Sequence, residues 1–403
     1  MINIAILGYG TVGSGVYEVL KKNAESIKRK TGRDVVIKKI LDIRDFPDHE
    51  EKHIFTKDFS EILNDDDIKI VVEVMGGVSP AYSYTKAALL QKKHVVTSNK
   101  ELVATHGAEL LKIAKDNNVN YLFEASVGGG IPIIRPLNQC LAANEITSIM
   151  GILNGTTNYI LTKMIKEGKS FGEALKRAQE KGYAERNPDA DVLGHDTCRK
   201  IAILSSLVYG KQVDYNLIYT EGINNITKED ILYAESLDSV IKLIGFSELK
   251  DKKVFARVSP MLIPSSNPLA SVDGVFNAIL VKGDSIGDCM FYGKGAGKYP
   301  TASAVAADII DIIKNIDKNM KFYWEDGSAD YVVDIKDSFS TFLIRVKEGA
   351  REKAKELFGD VEFIHARGVK GEVAFFLPSV NEGELIKKLS QLEGFISKIR
   401  MAE

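Results

Sequence analysis

The sequence predicts an α/β protein on three observations. An apolar run at the N-terminus empties into a glycine-rich turn and a helical pattern, four more strand-like runs follow with helical stretches between them, and the C-terminal part changes to the order strand, helix, strand, strand, helix, strand. These divide the 403 residues into an N-terminal Rossmann-type parallel sheet over 1–135, an α+β part with a mixed sheet over 136–318, and a C-terminal ferredoxin-like module over 319–403. The helix expected at 298–318 is assigned a return to the first part.

Residues 2–7 form the opening apolar run, and Gly8-Tyr9-Gly10-Thr11-Val12-Gly13 comes next, with Val16, Val19 and Leu20 then repeating on one helical face. Glycines are required where the chain turns sharply, lets a pyrophosphate approach its backbone, and packs helix on strand, leaving helix N-terminal amides for the anion. Alone the motif is also met as a tight turn in other α/β proteins. Its place between a strand and a helix, with further strands at 35–41, 70–75, 94–97 and 120–123, assigns it to dinucleotide binding. Gly76, just past the third run, and Ser98, past the fourth, join the cofactor candidates.

Cofactor choice belongs at the end of the second strand. Asp42 stands where an acid would grip the ribose of NAD, whereas Arg44 and Lys57 are cations that suit the 2′-phosphate of NADP; all three also read as solvated charges. Lys100, in Thr97-Ser98-Asn99-Lys100, falls at the carboxyl end of a strand, where ligands sit in open parallel sheets, and equally reads as a surface lysine opening a helix.

Composition narrows the partners. Fifty-three basic and 55 acidic side chains leave a net charge of −2, so no strong field recruits nucleic acid or an anionic membrane. No apolar run reaches the about 20 residues a membrane span needs, and no signal-like segment precedes the first strand. Three widely spaced cysteines, Cys140, Cys198 and Cys289, argue against a disulfide framework or a structural zinc site. The expected setting is a reducing cytoplasm, and the expected partners are small molecules or copies of the same chain.

The middle carries the chemistry. Glu124-Ala-Ser-Val-Gly-Gly-Gly-Ile-Pro places three glycines after a strand and a proline at an expected helix start; the run either faces a ligand or a hard cation, or serves as a hinge. Asn154-Gly155-Thr156-Thr157-Asn158 opens a helix, by capping it or by also receiving a substrate carboxylate. Between Glu185 and Asp196 four carboxylates fall within twelve residues. Pro188 and Gly194 are expected to keep Glu185, Asp189 and Asp191 on a loop, while Asp196 and Lys200 stand four apart on a helix, so their side chains can touch. Such a pair is usually a surface ion pair, but this acid cluster calls for a cation, and a substrate ammonium fits. A lysine beside a nicotinamide can protonate the alkoxide formed as hydride reaches a carbonyl.

Ala178, Gly182-Tyr183-Ala184, Asn187-Pro188, Asp191-Val192, Gly194, Asp196 and Lys200 stand at the spacing of the homoserine dehydrogenase signature, and the chain resembles that family over about residues 1–318. The other blocks are the glycine turn, Thr97–Lys100, Glu124–Pro132, the run 151–158 and the run from Gly293 to Ser303. The resemblance implies NAD(P)-dependent interconversion of L-homoserine and L-aspartate 4-semialdehyde in threonine and methionine biosynthesis. It implies Lys200 as the acid-base residue, Asp196 bonded to the substrate hydroxyl or orienting the lysine, and Lys100 as a second cation. It implies Glu185 and Asp191 at the substrate ammonium, with Gly155, Thr156 and Tyr183 also at the substrate. Gly8, Gly10, Thr11, Val12, Gly13 and Gly297 would line the cofactor. Glu124 with backbone oxygens of Val127, Gly129 and Ile131 matches the family's monovalent cation site, commonly sodium, and a homodimer or higher homo-oligomer through the mixed sheet is implied as well.

After this come strands over 254–263, 274–282 and 285–291, preceded by a helical insertion between 229 and 246. The C-terminal order looks like an ACT-type module, which some family members carry; Val346-Lys347-Glu348-Gly349 keeps only the glycine of the usual Asp-x-Pro-Gly turn, so a structural or dimerising role stands beside effector binding. Two rival functions are compatible with the same fold. The first is another Rossmann dehydrogenase acting on a related amino-acid semialdehyde, of which one forming acyl intermediates would want a cysteine in a turn; the second, a catalytically silent effector-binding protein, would be expected to lack Lys200 or Asp196.

Overall fold

Strand β1 (Ile2–Leu7) is apolar and buried except at Asn3, and the later strand Ile68–Glu73 is nearly as buried, because a parallel sheet covered on both faces leaves little polar side at its centre. The computed structural model describes residues 1–402. Its first 145 residues carry helix α1 (Thr11–Lys22), α2 (Ala24–Thr31), β2 (Val35–Leu41), β3 (Phe55–Thr56), α3 (Ser60–Leu63), β4 (Ile68–Glu73), α4 (Ala81–Leu90), β5 (His94–Thr97), α5 (Lys100–Asp116) and β6 (Tyr121–Leu122). The strands run parallel in the order β3-β2-β1-β4-β5-β6. This is the doubly wound arrangement whose order reverses beside the first strand, which puts the ligand crevice at the carboxyl ends of β1 and β4.

The rest of the chain opens with β7 (Ile146–Ile152), α6 (Gly155–Glu167), α7 (Phe171–Glu180), α8 (Asp189–Val192) and α9 (His195–Tyr209). Then come β8 (Tyr219–Thr220), α10 (Lys228–Ser236), β9 (Ser239–Lys250), β10 (Lys253–Pro264), β11 (Phe276–Gly283), β12 (Gly287–Lys294) and α11 (Lys298–Lys314). The chain ends in β13 (Phe339–Lys347), α12 (Arg351–Phe358), β14 (Phe363–Ile364), β15 (Glu372–Asn381), α13 (Glu382–Leu389) and β16 (Phe395–Met401). These elements group into two units: Met1–Glu145 with Ala202–Tyr215 and Phe291–Ser328, and Ile146–Ile201 with Asn216–Met290 and Ala329–Glu403.

In the second unit one mixed sheet runs β12-β11-β7-β9-β10-β16-β13-β15-β14, with β8 beside β10. Where a helical insertion was expected between 229 and 246, only α10 is helical; β9 begins at Ser239 and pairs along its whole length with β10. The run Val240-Ile-Lys-Leu-Ile-Gly-Phe is nearly continuous in apolar residues, and a buried central strand shows no alternation to separate it from a buried helix. The C-terminal elements keep their βαββαβ order and build a core of Phe342, Ile344, Val373, Phe375, Leu385 and Leu389. They do not form a detached sheet: β16 pairs parallel to β10 through Met261 with Arg400 and Leu262 with Met401.

The triple glycine has a packing cause. A Cβ on Gly129, whose φ is +57°, would lie 2.2 Å from the Gly295 carbonyl oxygen, one on Gly130 would lie 2.7 Å from Pro300, and the Gly130 amide donates to the Lys294 carbonyl at 3.0 Å. Two backbone segments are pressed together there, and only glycine fits. Gly129→Ala should therefore lower unfolding free energy by about 2–4 kcal/mol in urea titration, from overpacking added to a positive φ. Gly168→Ala, at a helix end with φ +61° and open space around it, should cost about 1 kcal/mol.

Candidate active site

The first unit builds a cradle from its first turn. Gly8 takes φ +96°, and a Cβ on Gly13 would sit 1.9 Å from the Gly8 carbonyl, so strand and helix meet only because both are glycine. A Cβ on Gly10 would meet nothing within 4 Å, which leaves room where a pyrophosphate would approach. Helix α1 has no side-chain cap at Gly10 and no acid in its first turn, and Thr11 and Val12 stand at its positively polarised end. Gly297, with φ +123°, precedes α11, which packs on α1; Gly15 has no room for a Cβ beside the Lys298 carbonyl at 2.9 Å.

At the end of β2, Asp42 accepts the Tyr9 amide at 2.7 Å and the Arg44 amide at 2.9 Å, and Arg44 Nη2 bonds both the Tyr9 carbonyl and Asp42. The hydrogen bond from Arg44 holds the Asp42 carboxyl at about 2 against the opposing effect of burial. Arg44 and Lys57 line one hollow with Lys52, and Lys57 pairs with Asp45 at 2.8 Å. Past β4, Gly76 has φ +84°. Lys100 is the first residue of α5 and half-buried, as is Ser98, and Asn99 caps that helix by accepting the Leu102 amide at 3.1 Å.

Glu73, fully buried at the end of β4, went unremarked in the sequence. Its carboxylate accepts the Met75 amide at 2.8 Å and the Thr97 hydroxyl at 2.6 Å, while Asn99 donates to the Gly77 carbonyl at 2.6 Å. Burial pushes the Glu73 carboxyl up, against these bonds. The loops after β4 and β5 are thus tied to each other, and the turn bearing Ser98 and Lys100 is fixed to that bearing Gly76. An acid at the end of an apolar run, Ile-Val-Val-Glu, was the available signal.

Glu124 is 3% exposed and accepts the amides of Ile133, Ile134 and Arg135 at 2.6, 2.8 and 2.8 Å. Its carboxylate thereby anchors the chain after the glycines. Pro132 does not start a helix; the helical residues begin at Ile134 and continue as a π-turn over Pro136–Cys140. Among the described residues no cluster of three or more His, Cys, Asp or Glu side chains suits a metal, so a cation among Glu124, Val127, Gly129 and Ile131 would rest chiefly on carbonyl oxygens.

In the second unit Lys200 and Asp196 meet as α9 brings them onto one face, Nζ to Oδ2 at 2.8 Å, with relative exposures of 8% and 5%. Lys200 also donates to the Leu153 carbonyl at 2.8 Å, at the end of β7. Such burial separates the pair from a surface ion pair, since two charges taken from water need close partners. Asn154 organises the acids: Nδ2 donates to Asp196 at 2.9 Å and to Asp191 at 2.7 Å, while Oδ1 caps α6 by accepting the Thr157 amide at 2.8 Å. Its run was legible as a cap or as a contact to a substrate carboxylate; that this one side chain bridges two carboxylates 37 and 42 positions away was not.

Asp189 and Asp191 stand on the single turn of α8 and not on a loop, because the Pro188 carbonyl accepts the amides of Asp191 and Val192 and closes the turn. Glu185 is exposed, and its carbonyl accepts Gln179 Nε2 at 3.1 Å. Gly155 has no room for a Cβ against the Val275 carbonyl at 2.7 Å. Thr156 Oγ1 donates to the Tyr183 carbonyl at 2.6 Å, and the exposed Tyr183 ring meets Tyr159 edge-on at 5.0 Å. Cys140 is exposed on its π-turn, Cys198 is buried in α9 and Cys289 lies on β12, so none occupies a nucleophile turn.

A doubly wound sheet with an open glycine cradle, together with a buried lysine–aspartate pair in an acidic turn, defines a nicotinamide-dependent oxidoreductase. The family model for homoserine dehydrogenase matches residues 132–310, and the model for the homoserine dehydrogenase NAD-binding domain matches residues 8–124. The chain belongs to the homoserine dehydrogenase family. It is 44% identical to the homoserine dehydrogenase of Bacillus subtilis over 78% of this chain and 73% of that one, and 46% identical to that of Synechocystis over 77% and 73%. A crystal structure of a homoserine dehydrogenase from Thiobacillus denitrificans superposes with a TM-score of 0.91 at 34% identity, over 100% of this chain and 98% of the other. A hyperthermophilic archaeal homoserine dehydrogenase in complex with NADPH gives 0.65 at 29% identity, over 77% and 97%. No helix among the described residues is long and apolar enough to cross a membrane.

Asn154→Asp separates the two duties of that residue. The cap acceptor for Thr157 survives, but a third carboxylate replaces the donor between Asp191 and Asp196, and its folded-state pKa must rise above the unfolded value. The folded protein then binds more protons than the unfolded chain, so the variant should be less stable than wild type at neutral pH and regain stability as pH falls toward the ordinary carboxylate range. Thermal melts across pH check this; a melt shift independent of pH would refute it.

Proposed function

We propose that Lys200 is the proton donor and acceptor for the interconversion of L-homoserine and L-aspartate 4-semialdehyde, with Asp196 orienting it. The observation that carries this reading is the buried 2.8 Å contact between Lys200 and Asp196, steadied by Asn154 and the Leu153 carbonyl. A bound nicotinamide would supply the hydride acceptor for oxidation of the alcohol carbon and the hydride donor for reduction of the aldehyde carbon. In oxidation Lys200 accepts the hydroxyl proton as the carbonyl forms; in reduction its ammonium gives a proton to the oxygen. Lys100 serves as a second cation near the reacting oxygen. Asp191 and Glu185 receive the substrate ammonium, and Gly155, Thr156 and Tyr183 bound the remainder.

Gly8, Gly10, Thr11, Val12 and Gly13 would hold the cofactor, with Gly76, Ser98 and Gly297 contributing to the same site. We assign a preference for NADP, because the Asp42 carboxylate is buried beneath Tyr9 and Arg44, whereas the exposed Arg44 and Lys57 side chains line one hollow with a third cation. The division at 1–135, 136–318 and 319–403, an ACT-like identity for the last part and a sodium ion at Glu124, Val127, Gly129 and Ile131 belong to the same reading. So do a homodimer, a cytoplasmic setting and a place in threonine and methionine biosynthesis. The departure at 346–349 favours a structural role for the C-terminal part.

Spectrophotometric oxidation of homoserine tests the centre. Lys200→Met, which keeps side-chain volume, should lower kcat by about 10²–10⁴-fold while the protein stays folded; equal rates would remove the acid-base assignment, and no oxidation by wild type with NAD or NADP would remove the reaction. In the same assay Arg44→Ala should raise the KM for NADP about tenfold or more and leave that for NAD nearly unchanged.

A further inference from the structure

The last strand of the chain reaches the acidic turn through one buried cation. Arg400, on β16 and 1% exposed, holds Glu382 in a double contact, Nε to Oε1 at 2.8 Å and Nη2 to Oε2 at 2.6 Å. Its remaining nitrogen Nη1 donates to Glu221 Oε2 at 2.8 Å. Its guanidinium lies 4.8 Å from the centre of the Tyr219 ring, whose hydroxyl donates to the same Glu221 oxygen at 3.0 Å. Glu221 is thus gripped by its side chain, and its own amide is fixed to the Val258 carbonyl at 2.8 Å.

Gly222 and Ile223, the next two residues, form the floor of the turn that carries Asp191. The Ile223 amide donates to the Val192 carbonyl at 2.8 Å, and a Cβ on Gly222 would lie 2.1 Å from that carbonyl and 2.6 Å from Leu193 Cα. On the other side of the turn a Cβ on Gly194 would lie 3.1 Å from Thr220 and from Val258. At Gly222 backbone rests on backbone, and at Gly194 the Thr220 and Val258 side chains fill the remaining space, so a shift of 221–223 moves Val192, and with it Asp191, whose carboxylate is bonded through Asn154 to Asp196.

We propose that Glu221 and Arg400 are positioning residues of the homoserine site: the C-terminal strand, through Arg400, sets the placement of Asp191 and thereby the affinity for the amino-acid substrate. This inference rests on the assignment of Asp191, Asp196 and Lys200 to the substrate site. It gives the C-terminal module a role in binding homoserine that requires no effector of its own. Contiguity alone does not establish coupling, so substrate affinity must be read directly.

Glu221→Ala is the informative variant, because Arg400 keeps its buried partner Glu382 and the fold retains that ion pair. The expected result is a rise in the KM for homoserine of about five- to tenfold, with kcat and the KM for the nicotinamide cofactor within about twofold of wild type. Glu221→Gln, which retains an oxygen acceptor for Arg400, should recover the homoserine KM to within about twofold. Arg400→Lys cannot serve both acids, and its effect on the homoserine KM should be less than additive with that of Glu221→Ala. A lower melting temperature with an unchanged homoserine KM, or an equal rise in the cofactor KM, would overturn the proposal. Lys200→Met run in parallel separates the two levels: if it retains wild-type activity the site assignment fails, whereas if it is inactive and Glu221→Ala binds homoserine normally, only the positioning role fails.

Discussion

Much of the second unit is arranged around the burial of one ammonium. Lys200 has left water, which costs several kcal/mol unless close partners replace the lost hydration, and the Asp196 carboxylate with the Leu153 carbonyl supply that replacement. Those partners sit at the end of β7 and one turn earlier on α9, so strand and helix must hold their places for the charge to be tolerated. Asn154 extends the constraint to Asp191 and to the start of α6. An ion pair that would be worth a few tenths of a kcal/mol on a helix surface becomes here the point to which two helices and a strand are referenced.

The two units use different means to hold polar atoms. In the first, close approach of backbones dominates: Gly13 on the Gly8 carbonyl, Gly129 on Gly295, Gly15 on Lys298. Each is a buried contact at which a Cβ would collide with a neighbouring backbone, so glycine sets how closely the segments approach. In the second, buried charges are satisfied side chain to side chain. Arg345 bonds Asp230 and Glu372, and Arg400 bonds Glu382 and Glu221, joining the C-terminal elements to α10 and to the segment after β8. Burial alone would push Glu382 upward; Arg400 reverses this and holds it low. Joined also by the β10–β16 pairing, the C-terminal elements are part of the sheet that contains β7, not a module on a tether.

Local order was well expressed in the sequence. The strand, glycine turn and helix at the N-terminus, the helix carrying Asp196 and Lys200, and the C-terminal βαββαβ order each depend on short-range periodicity or on residues with special backbone freedom. Where local signals coincide they mislead. The 229–246 segment reads as helical because a central strand buried on both faces has no period, and Asp189 with Asp191 reads as loop because Pro188 suggests a break where it instead opens a single turn. Glu73 carries no local signal beyond its place at the end of an apolar run, and it is a buried acid that accepts from the Met75 amide and the Thr97 hydroxyl.

By itself the sequence determined the class of fold, the glycines of the first turn and the meeting of Asp196 with Lys200 on one helix face, because each follows from spacing along one segment. The tertiary structure alone decided that Asn154 bridges two acids, that Glu73 ties two loops, that the triple glycine answers to Gly295 and Pro300, and that Arg400 reaches Glu221. The reason is physical: hydrogen bonds and close packing act over about 3–4 Å whatever the distance along the chain. A partner tens or hundreds of positions away leaves no periodicity and no spacing to read.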